Sequence, residues 1–272
     1  MSRQLLAMVC SSLIGLAIST PVVAKPTDPA PLARIKAAEP PVGANDESED
    51  SFSGIREKSI RQAVYTYAVQ EAVHWRYQQI LEEINAVSTQ LDRVFDFSVV
   101  ALDGGRVLPP VITQAGKTWK ALSSTASETS RKTFEIRRPA RVISNPPTWR
   151  RYLVQDYPAG EKPHPALYPR DDKEQAIWDA AAERGWQNGY AFAMELYNTN
   201  LNRLKRDFNG MILFKRLVNQ NIISVPRSAQ NEPRIVVNGE TLEIGKRLFR
   251  ITLPSSWQKT GKWQPAAALE GR

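Results

Sequence analysis

The chain has 272 residues, with 36 Lys+Arg against 28 Asp+Glu, a formal net charge of +8 and 42% hydrophobic residues. This composition excludes a collagen-like, low-complexity or wholly disordered chain and is enough for one large domain or two small ones. One cysteine permits no internal disulfide, and two histidines leave too few donors for a dedicated zinc or haem site. We therefore predict that the protein holds no metal and no cofactor.

The first 24 residues have the pattern of a secretory signal peptide. Arg3 precedes an apolar stretch from Leu5 to Ile18, and small residues lead to a cleavage site between Ala24 and Lys25. The apolar stretch is shorter than the roughly 20 residues that a membrane-spanning helix needs. We predict that the protein is exported to the periplasm without this segment.

The single cysteine, Cys10, lies inside that apolar stretch. A lipoprotein signal needs a small residue directly before its cysteine and a longer segment upstream, and Val9 and the short distance from Met1 fit this poorly. We predict that Cys10 is removed with the signal peptide. The alternative is that Cys10 carries a lipid that anchors the chain, and palmitate labelling of the wild type and of Cys10→Ser distinguishes the two.

Residues 25–54 combine prolines with acidic side chains, a composition that does not bury a core. They hold three basic and six acidic residues, a net charge of −3. The residues from Ile55 onward then carry +10, once Arg3 is removed with the signal peptide. We interpret residues 25–54 as a disordered, flexible arm.

Two segments have the hydrophobic spacing of long amphipathic helices. In the first, apolar residues recur at steps of three and four from Ile55 to Val94. The second begins at Asp171 and Asp172, which suit the positive end of a helix, and ends near Asn219.

Glycines interrupt the second predicted helix. Gly185 and Gly189 lie four residues apart and therefore on one helix face. Because glycine lowers helix stability, the pair predicts the close approach of another backbone, most simply that of the first helix. Gly210 is a candidate kink.

The remaining segments favour β-structure. Phe95–Leu102 and Arg106–Leu108 flank a glycine turn and predict a hairpin, and Thr133–Arg138 alternates like a strand. A further hairpin is predicted between residues 235 and 253, around Asn238-Gly239. The predicted fold is α+β, with two long amphipathic helices packed with β-hairpins behind the N-terminal flexible arm. Residues 55–254 form one domain, and residues 255–272 form a loose tail.

The motifs that suggest chemistry are incomplete. Ala115-Gly116-Lys117-Thr118 resembles the end of a phosphate-binding loop, but Val111 stands where the first glycine is required. Glu71 and His74 share a helix face as in di-iron bundles, but the only other histidine is His164, in a proline-rich connection. We predict no catalytic, cofactor-binding or metal-binding residue, and no enzyme activity.

Basic residues occur in several segments of the body, some of them near aromatic residues. These segments are Arg137-Arg138, Arg141, Arg150-Arg151 and Arg203-Leu204-Lys205-Arg206. A nucleic-acid surface is one interpretation, but the residues are spread along the chain and an exported protein rarely meets free nucleic acid. We therefore expect a solvated face or a partner surface and no direct contact with nucleic acid.

Several ordered blocks between Ile60 and Pro226 resemble the DotC/TraI family of type IVB secretion and IncI-type conjugative transfer systems. The blocks are His74-Trp75-Arg76, Pro109-Pro110-Val111-Ile112, Pro146-Pro147-Thr148-Trp149-Arg150, Gly185-Trp186-Gln187-Asn188-Gly189, Asn200-Leu201-Asn202-Arg203, Asp207-Phe208-Asn209-Gly210-Met211 and Ile223-Ser224-Val225-Pro226.

The resemblance implies a structural subunit of the outer-membrane core complex. Such a subunit would assemble with a DotD-like lipoprotein and a DotH-like outer-membrane channel subunit, as a homo- and hetero-oligomer in the periplasm at the outer membrane. Trp149, Trp178 and Trp186 are candidate interface anchors, with an ordinary core position as the alternative. The alternative function is that of a periplasmic peptidoglycan-binding or cell-wall-modifying protein.

Overall fold

The structure, a computed structural model, describes residues 28–38, 53–116, 118–121, 127–259 and 261. Its helices are α1 (Ala30–Lys36), α2 (Ser53–Ala86), α3 (Ser88–Val94), α4 (Arg150–Leu153) and α5 (Asp172–Asn219), with a 3-10 turn at Pro165–Leu167. Its strands are β1 (Val107–Leu108), β2 (Val111–Ala115), β3 (Thr118–Ala121), β4 (Ser127–Ser130), β5 (Thr133–Arg138), β6 (Arg141–Val142), β7 (Arg227–Gln230), β8 (Arg234–Asn238), β9 (Thr241–Lys246) and β10 (Phe249–Leu253). The α+β prediction is confirmed.

Helices α2 and α5 form the spine of the molecule and run parallel to each other. At 1.5 Å per residue, the 48 residues of α5 extend about 72 Å. A Cβ added at Gly185 would lie 2.6 Å from the Tyr65 carbonyl oxygen, and one at Gly189 would lie 2.8 Å from the Ala72 Cβ. The close approach predicted from these glycines is therefore confirmed.

The ends of the two long helices follow local rules. The Asp171 carboxylate caps α5 by accepting a hydrogen bond from the Glu174 backbone N–H at 2.7 Å, as its position in the sequence predicts. The first long helix is not continuous to Val94 as predicted, because it stops at Ala86 and α3 begins at Ser88. At this break the Val87 N–H donates to the Ile84 carbonyl oxygen, so the chain makes a tighter turn there.

Gly210, the candidate kink, lies within α5, which continues through it as helix. A Cβ at Gly210 would lie 2.6 Å from Val111 Cγ1 and 2.8 Å from the Ile112 carbonyl oxygen. The glycine therefore allows β2 to pack directly against the helix.

Residues 95–101 are turns and not the predicted strand; only Leu102 forms a bridge, to Val107. The Asp96 carboxylate accepts hydrogen bonds from both the backbone N–H and the hydroxyl of Ser98, a local turn that competes with strand pairing. Phe97 is thereby buried among aromatic side chains. The partner of β1 is β6, and β2 pairs with β5, so both pairings join distant parts of the chain.

The predicted flexible arm at residues 25–54 does not hold for Ala30–Lys36, which form α1. Leu32 and Ile35 are buried against the first half of α5, and the Trp178 indole N–H donates to the Ile35 carbonyl oxygen at 2.8 Å. Pro31 is buried as well, so three side chains dock this short helix on the core although its segment is rich in proline.

The predicted loose tail at 255–272 is wrong for its first residues. Ser256 exchanges hydrogen bonds with Ser224, and the Gln258 N–H donates to the Ile222 carbonyl oxygen at 2.8 Å. Trp257 pairs with Ile223, and its ring lies 6.4 Å from that of Phe134.

Three clusters of buried side chains form the core. The first, around Ile60 and Trp178, joins α1 to the first halves of α2 and α5. The second, around Tyr77, Phe97 and Trp149, packs against the second halves of α2 and α5. The third lies between β2 and the end of α5. Among the described helices, none combines the length and the apolar character that crossing a membrane requires.

Candidate functional site

The three candidate interface anchors, Trp149, Trp178 and Trp186, are buried inside the folded chain. The Trp149 indole N–H donates to the Asp92 carboxylate at 2.7 Å, and Trp178 binds the backbone of α1. Since these rings present almost no surface to a second molecule, the anchor hypothesis is wrong and the three residues are core tryptophans. The hydrogen bond from Arg150, and to a lesser extent that from Trp149, lowers the pKa of Asp92.

Glu71 and His74 contact the proline-rich connection between α4 and α5. The His74 Nδ1 lies 2.6 Å from the Tyr157 carbonyl oxygen, and the Glu71 carboxylate accepts a hydrogen bond from the Gly160 N–H at 3.1 Å. Both side chains therefore hold a connection against α2. Within the described ranges, no group of three His, Cys, Asp or Glu residues has the geometry to bind a metal ion.

Three residues named in the sequence analysis, Cys10, Ala24 and Lys25, lie outside the residues that the structure describes. The prediction of a signal peptide cleaved after Ala24, and the alternative of a lipid on Cys10, therefore stay predictions.

A hairpin formed by β8 and β9 carries exposed apolar side chains. Ile235, Leu242 and Ile244 are 69%, 58% and 74% exposed, and we call these three residues the hairpin face. Leu242 and Ile244 are two residues apart in one strand and therefore point to the same side. The predicted turn at Asn238-Gly239 is present, with Gly239 at φ +56°.

The strands of this hairpin pair only with one another among the described strands, and neither packs extensively against another described element. At its base, the register shifts between Arg234 and Val236, and Gly245 adopts φ +77°, as in a β-bulge. Such a bulge bends and twists the hairpin and leaves the exposed side chains clear of the body.

The antiparallel pair of β7 and β10, from which the β8–β9 hairpin continues, fixes the base of that hairpin to the body. The Arg106 guanidinium lies 4.5 Å from the centre of the Phe249 ring and donates to the Gln230 side chain at 2.7 Å. Ser228 Oγ also binds the Asp103 carboxylate. The loop that carries Asp103 and Arg106 thus positions β7 and β10, and through them the hairpin face.

This surface is suited to binding another protein. A contiguous exposed apolar patch is uncommon on a monomer and usually marks a contact with a partner. An isolated two-stranded hairpin is marginally stable in water, so a partner that covers it also stabilises it. The sequence predicted the hairpin and its turn, but alternation alone did not indicate that its apolar side chains would be left exposed.

A polar site, separate from the hairpin face, is centred on Asp207, a fully buried carboxylate of α5. Arg138 donates to its Oδ2 at 2.7 Å and Arg206 to its Oδ1 at 3.1 Å, while the Tyr152 hydroxyl lies 3.2 Å from Oδ2. Burial, with the nearby Asp207 charge, raises the pKa of Tyr152. Tyr152 therefore stays a neutral hydrogen-bond donor at physiological pH.

Residues 54–265 match the model of the TraI family, described as type IV secretory system, conjugal DNA-protein transfer. The match covers well over half of the chain. The chain belongs to this family. No curated protein matches the chain. The resemblance found in the sequence is confirmed by this result.

Membership of the TraI family places the chain in a type IV secretion or conjugation system. The matched region begins at the start of α2 and includes both long helices, the Asp207 site and the hairpin face. Helix α1, which lies before residue 54, is outside it.

Proposed function

We propose that this TraI-family chain is a structural subunit of the outer-membrane core complex of a type IVB secretion or conjugative DNA transfer apparatus. It assembles there with a DotD-like lipoprotein and a DotH-like channel subunit and acts by binding them, with no reaction of its own. Its place is the periplasm, where its partners hold it at the outer membrane.

The observation that carries this proposal is the hairpin face. Ile235, Leu242 and Ile244 are exposed on a projection whose base is fixed to the body. Burying a leucine or isoleucine side chain contributes about 1.5–3 kcal/mol, so three such residues supply much of the free energy of a protein contact. A subunit of an assembly requires such a contact surface.

The polar side chains considered for chemistry support a structural role as well. Glu71 and His74 bind the backbone of a connection, Asp92 binds Trp149 and Arg150, and Asp171 caps α5. Each of them therefore has a structural partner that competes with any substrate.

The test uses a strain in which the gene is deleted and replaced by single variants of the chain. Leu242→Asp and Ile244→Asp place a charge in the proposed contact, whereas Val99→Asp places one at a site that is 67% exposed and far from the hairpin in sequence. We expect both hairpin variants to fold with an unchanged melting temperature but to lose conjugal transfer and co-purification of the DotD-like and DotH-like subunits. The Val99→Asp variant should retain both conjugal transfer and co-purification of the two subunits.

Normal transfer by the deletion strain, or by both hairpin variants, contradicts the proposal. Release of muropeptides from purified cell wall by the isolated chain contradicts it too, because that result favours the cell-wall-modifying alternative. Fractionation of the envelope tests the location: the chain should leave the outer-membrane fraction when the partner subunits are deleted.

A further inference from the structure

Four arginines line a small surface cavity of about 150 Å³ beside the Asp207 site. Arg138 and Arg141 come from β5 and β6, Arg151 from α4 and Arg203 from α5, with Tyr152 as the remaining lining residue. None of these lining residues is acidic. The fold therefore brings together the basic segments that lie far apart in the sequence.

The arginines carry more charge than the cavity neutralises. The four lining guanidinium groups carry a charge of +4, and of these four only Arg138 forms an ion pair with Asp207 in the described structure. Asp207 already binds Arg138 and Arg206, whereas Arg141 and Arg151 have exposed side chains that pair with no acidic residue among those described.

One face of the Arg203 guanidinium contacts an aromatic ring, and its Nε has no hydrogen-bond partner among the described residues. Its guanidinium lies 5.5 Å from the centre of the Tyr152 ring, a cation–π contact, and its Nε is buried without a hydrogen-bond partner in the described structure. A buried donor without an acceptor lowers stability, and neighbouring like charges lower it further. An anion in the cavity would relieve both effects.

We propose that this arginine cavity binds side-chain carboxylates of an acidic protein segment. Guanidinium groups bind carboxylates through paired, charge-assisted hydrogen bonds, a geometry that lysine does not offer. Nothing in this proposal depends on the hairpin face, because no residue of that face lines the cavity.

The shape of the cavity favours a carboxylate over a nucleic acid. Its volume admits one anionic group at a time, and a backbone of phosphates needs an extended positive groove. Single-stranded nucleic acids also stack their bases on exposed aromatic rings, whereas Tyr152 is almost completely buried. Carboxylates at the tip of an acidic segment need neither feature.

The test measures fluorescence anisotropy of a labelled octapeptide of glutamate on the purified full chain. The double variant Arg141→Gln, Arg151→Gln removes two exposed lining charges without touching Asp207. Its matched control, Arg61→Gln, Arg184→Gln, removes two exposed charges from the groove between the first halves of α2 and α5. We expect at least tenfold weaker binding in the cavity variant and less than a twofold change in the control.

Equal weakening in both variants would overturn the inference, because it would reflect net charge alone, and so would the absence of peptide binding to the wild type. Two further probes examine other sources of anions. These probes are a single-stranded oligonucleotide of twelve nucleotides and a vesicle of phosphatidylglycerol. If either binds the wild type more tightly than the peptide does, and the cavity variant loses that binding, the assignment to a protein segment is wrong. Unchanged melting temperatures of both variants establish that they fold.

Discussion

At the scale of single residues, Asp207 is a buried carboxylate on which three side chains converge, those of Arg138, Arg206 and Tyr152. Its carboxylate is fully buried, whereas Arg138 and Arg206 are 43% and 48% exposed. Replacing it by alanine leaves the Tyr152 hydroxyl without its acceptor, while water can still solvate the two arginines.

We therefore predict that Asp207→Ala lowers the free energy of unfolding by about 2 kcal/mol, which is the usual contribution of a hydrogen bond to a charged group. Urea denaturation measures it. The control is Glu135→Ala, which removes an ion pair to Arg137 in which both side chains are more than half exposed and which should contribute less than about 1 kcal/mol. Equal effects of the two substitutions would contradict the role of burial.

The Tyr77 hydroxyl should make the free energy of unfolding depend on pH in the alkaline range. Burial raises its pKa to about 12, and its hydroxyl donates to the Leu153 carbonyl oxygen at 2.8 Å. The unfolded chain loses this proton near pH 10, before the folded chain does. Stability from Tyr77 is therefore fully present below pH 10 and is lost as the pH rises towards 12.

Comparison with Tyr77→Phe isolates this contribution from those of the other tyrosines. At pH 7 the variant should be less stable by about 1 kcal/mol, because the Leu153 carbonyl loses its donor. Between pH 10 and 12 the difference between wild type and variant should shrink. A difference that stays constant over this range, in urea denaturation at each pH, would show that Tyr77 ionises equally in both states.

At the scale of elements, the contact of α2 with α5 depends on glycines. Gly189→Ala introduces a Cβ 2.8 Å from that of Ala72, so the helices must separate. Overpacking of this kind lowers stability by about 1–3 kcal/mol, which exceeds the roughly 1 kcal/mol that alanine adds to a helix. We predict a net loss of unfolding free energy in Gly189→Ala.

The matched control is Gly54→Ala, in the first turn of α2, where an added Cβ meets no atom within 4 Å. This substitution should leave stability unchanged or raise it slightly. A gain of stability in both variants would show that the two helices are not in close contact at Gly189.

Helix α1 supplies a prediction about a local opening. Ile35→Ala creates a cavity between α1 and α5, beside Trp178. Because α1 is short and reaches the core through few side chains, it should detach before the rest of the molecule unfolds. Hydrogen exchange should show faster exchange of Ala30–Lys36 amides in Ile35→Ala and no change in the control Arg34→Ala, whose side chain is exposed. Unchanged protection in Ile35→Ala would contradict the docking of α1.

Sequence patterns predicted the elements that local periodicity determines and missed those that distant contacts determine. Helix α5, its Asp171 cap, the glycine contact and the Asn238-Gly239 turn all follow from residues close in sequence. The turn at Asp96 depends on a side-chain hydrogen bond that strand propensity does not include. The pairing of β1 with β6, the docking of α1 and the gathering of four arginines around Tyr152 depend on the tertiary fold.

At the scale of the whole molecule, a long helical spine carries two separate surfaces. Clusters of buried apolar side chains join α2 to α5 along both halves of this spine. The hairpin face offers apolar side chains, and the arginine cavity offers positive charge. An elongated body that presents two chemically different surfaces suits a subunit that joins other proteins within a secretion apparatus.

The most direct measurement is photo-cross-linking in living cells that carry the whole apparatus. A photoreactive amino acid replaces Ile244, the most exposed residue of the hairpin face, or Val99 as the control. We predict that residue 244 cross-links to another subunit of the assembled apparatus and that residue 99 does not. The absence of any cross-linked product from residue 244, in cells that transfer normally, would contradict this prediction.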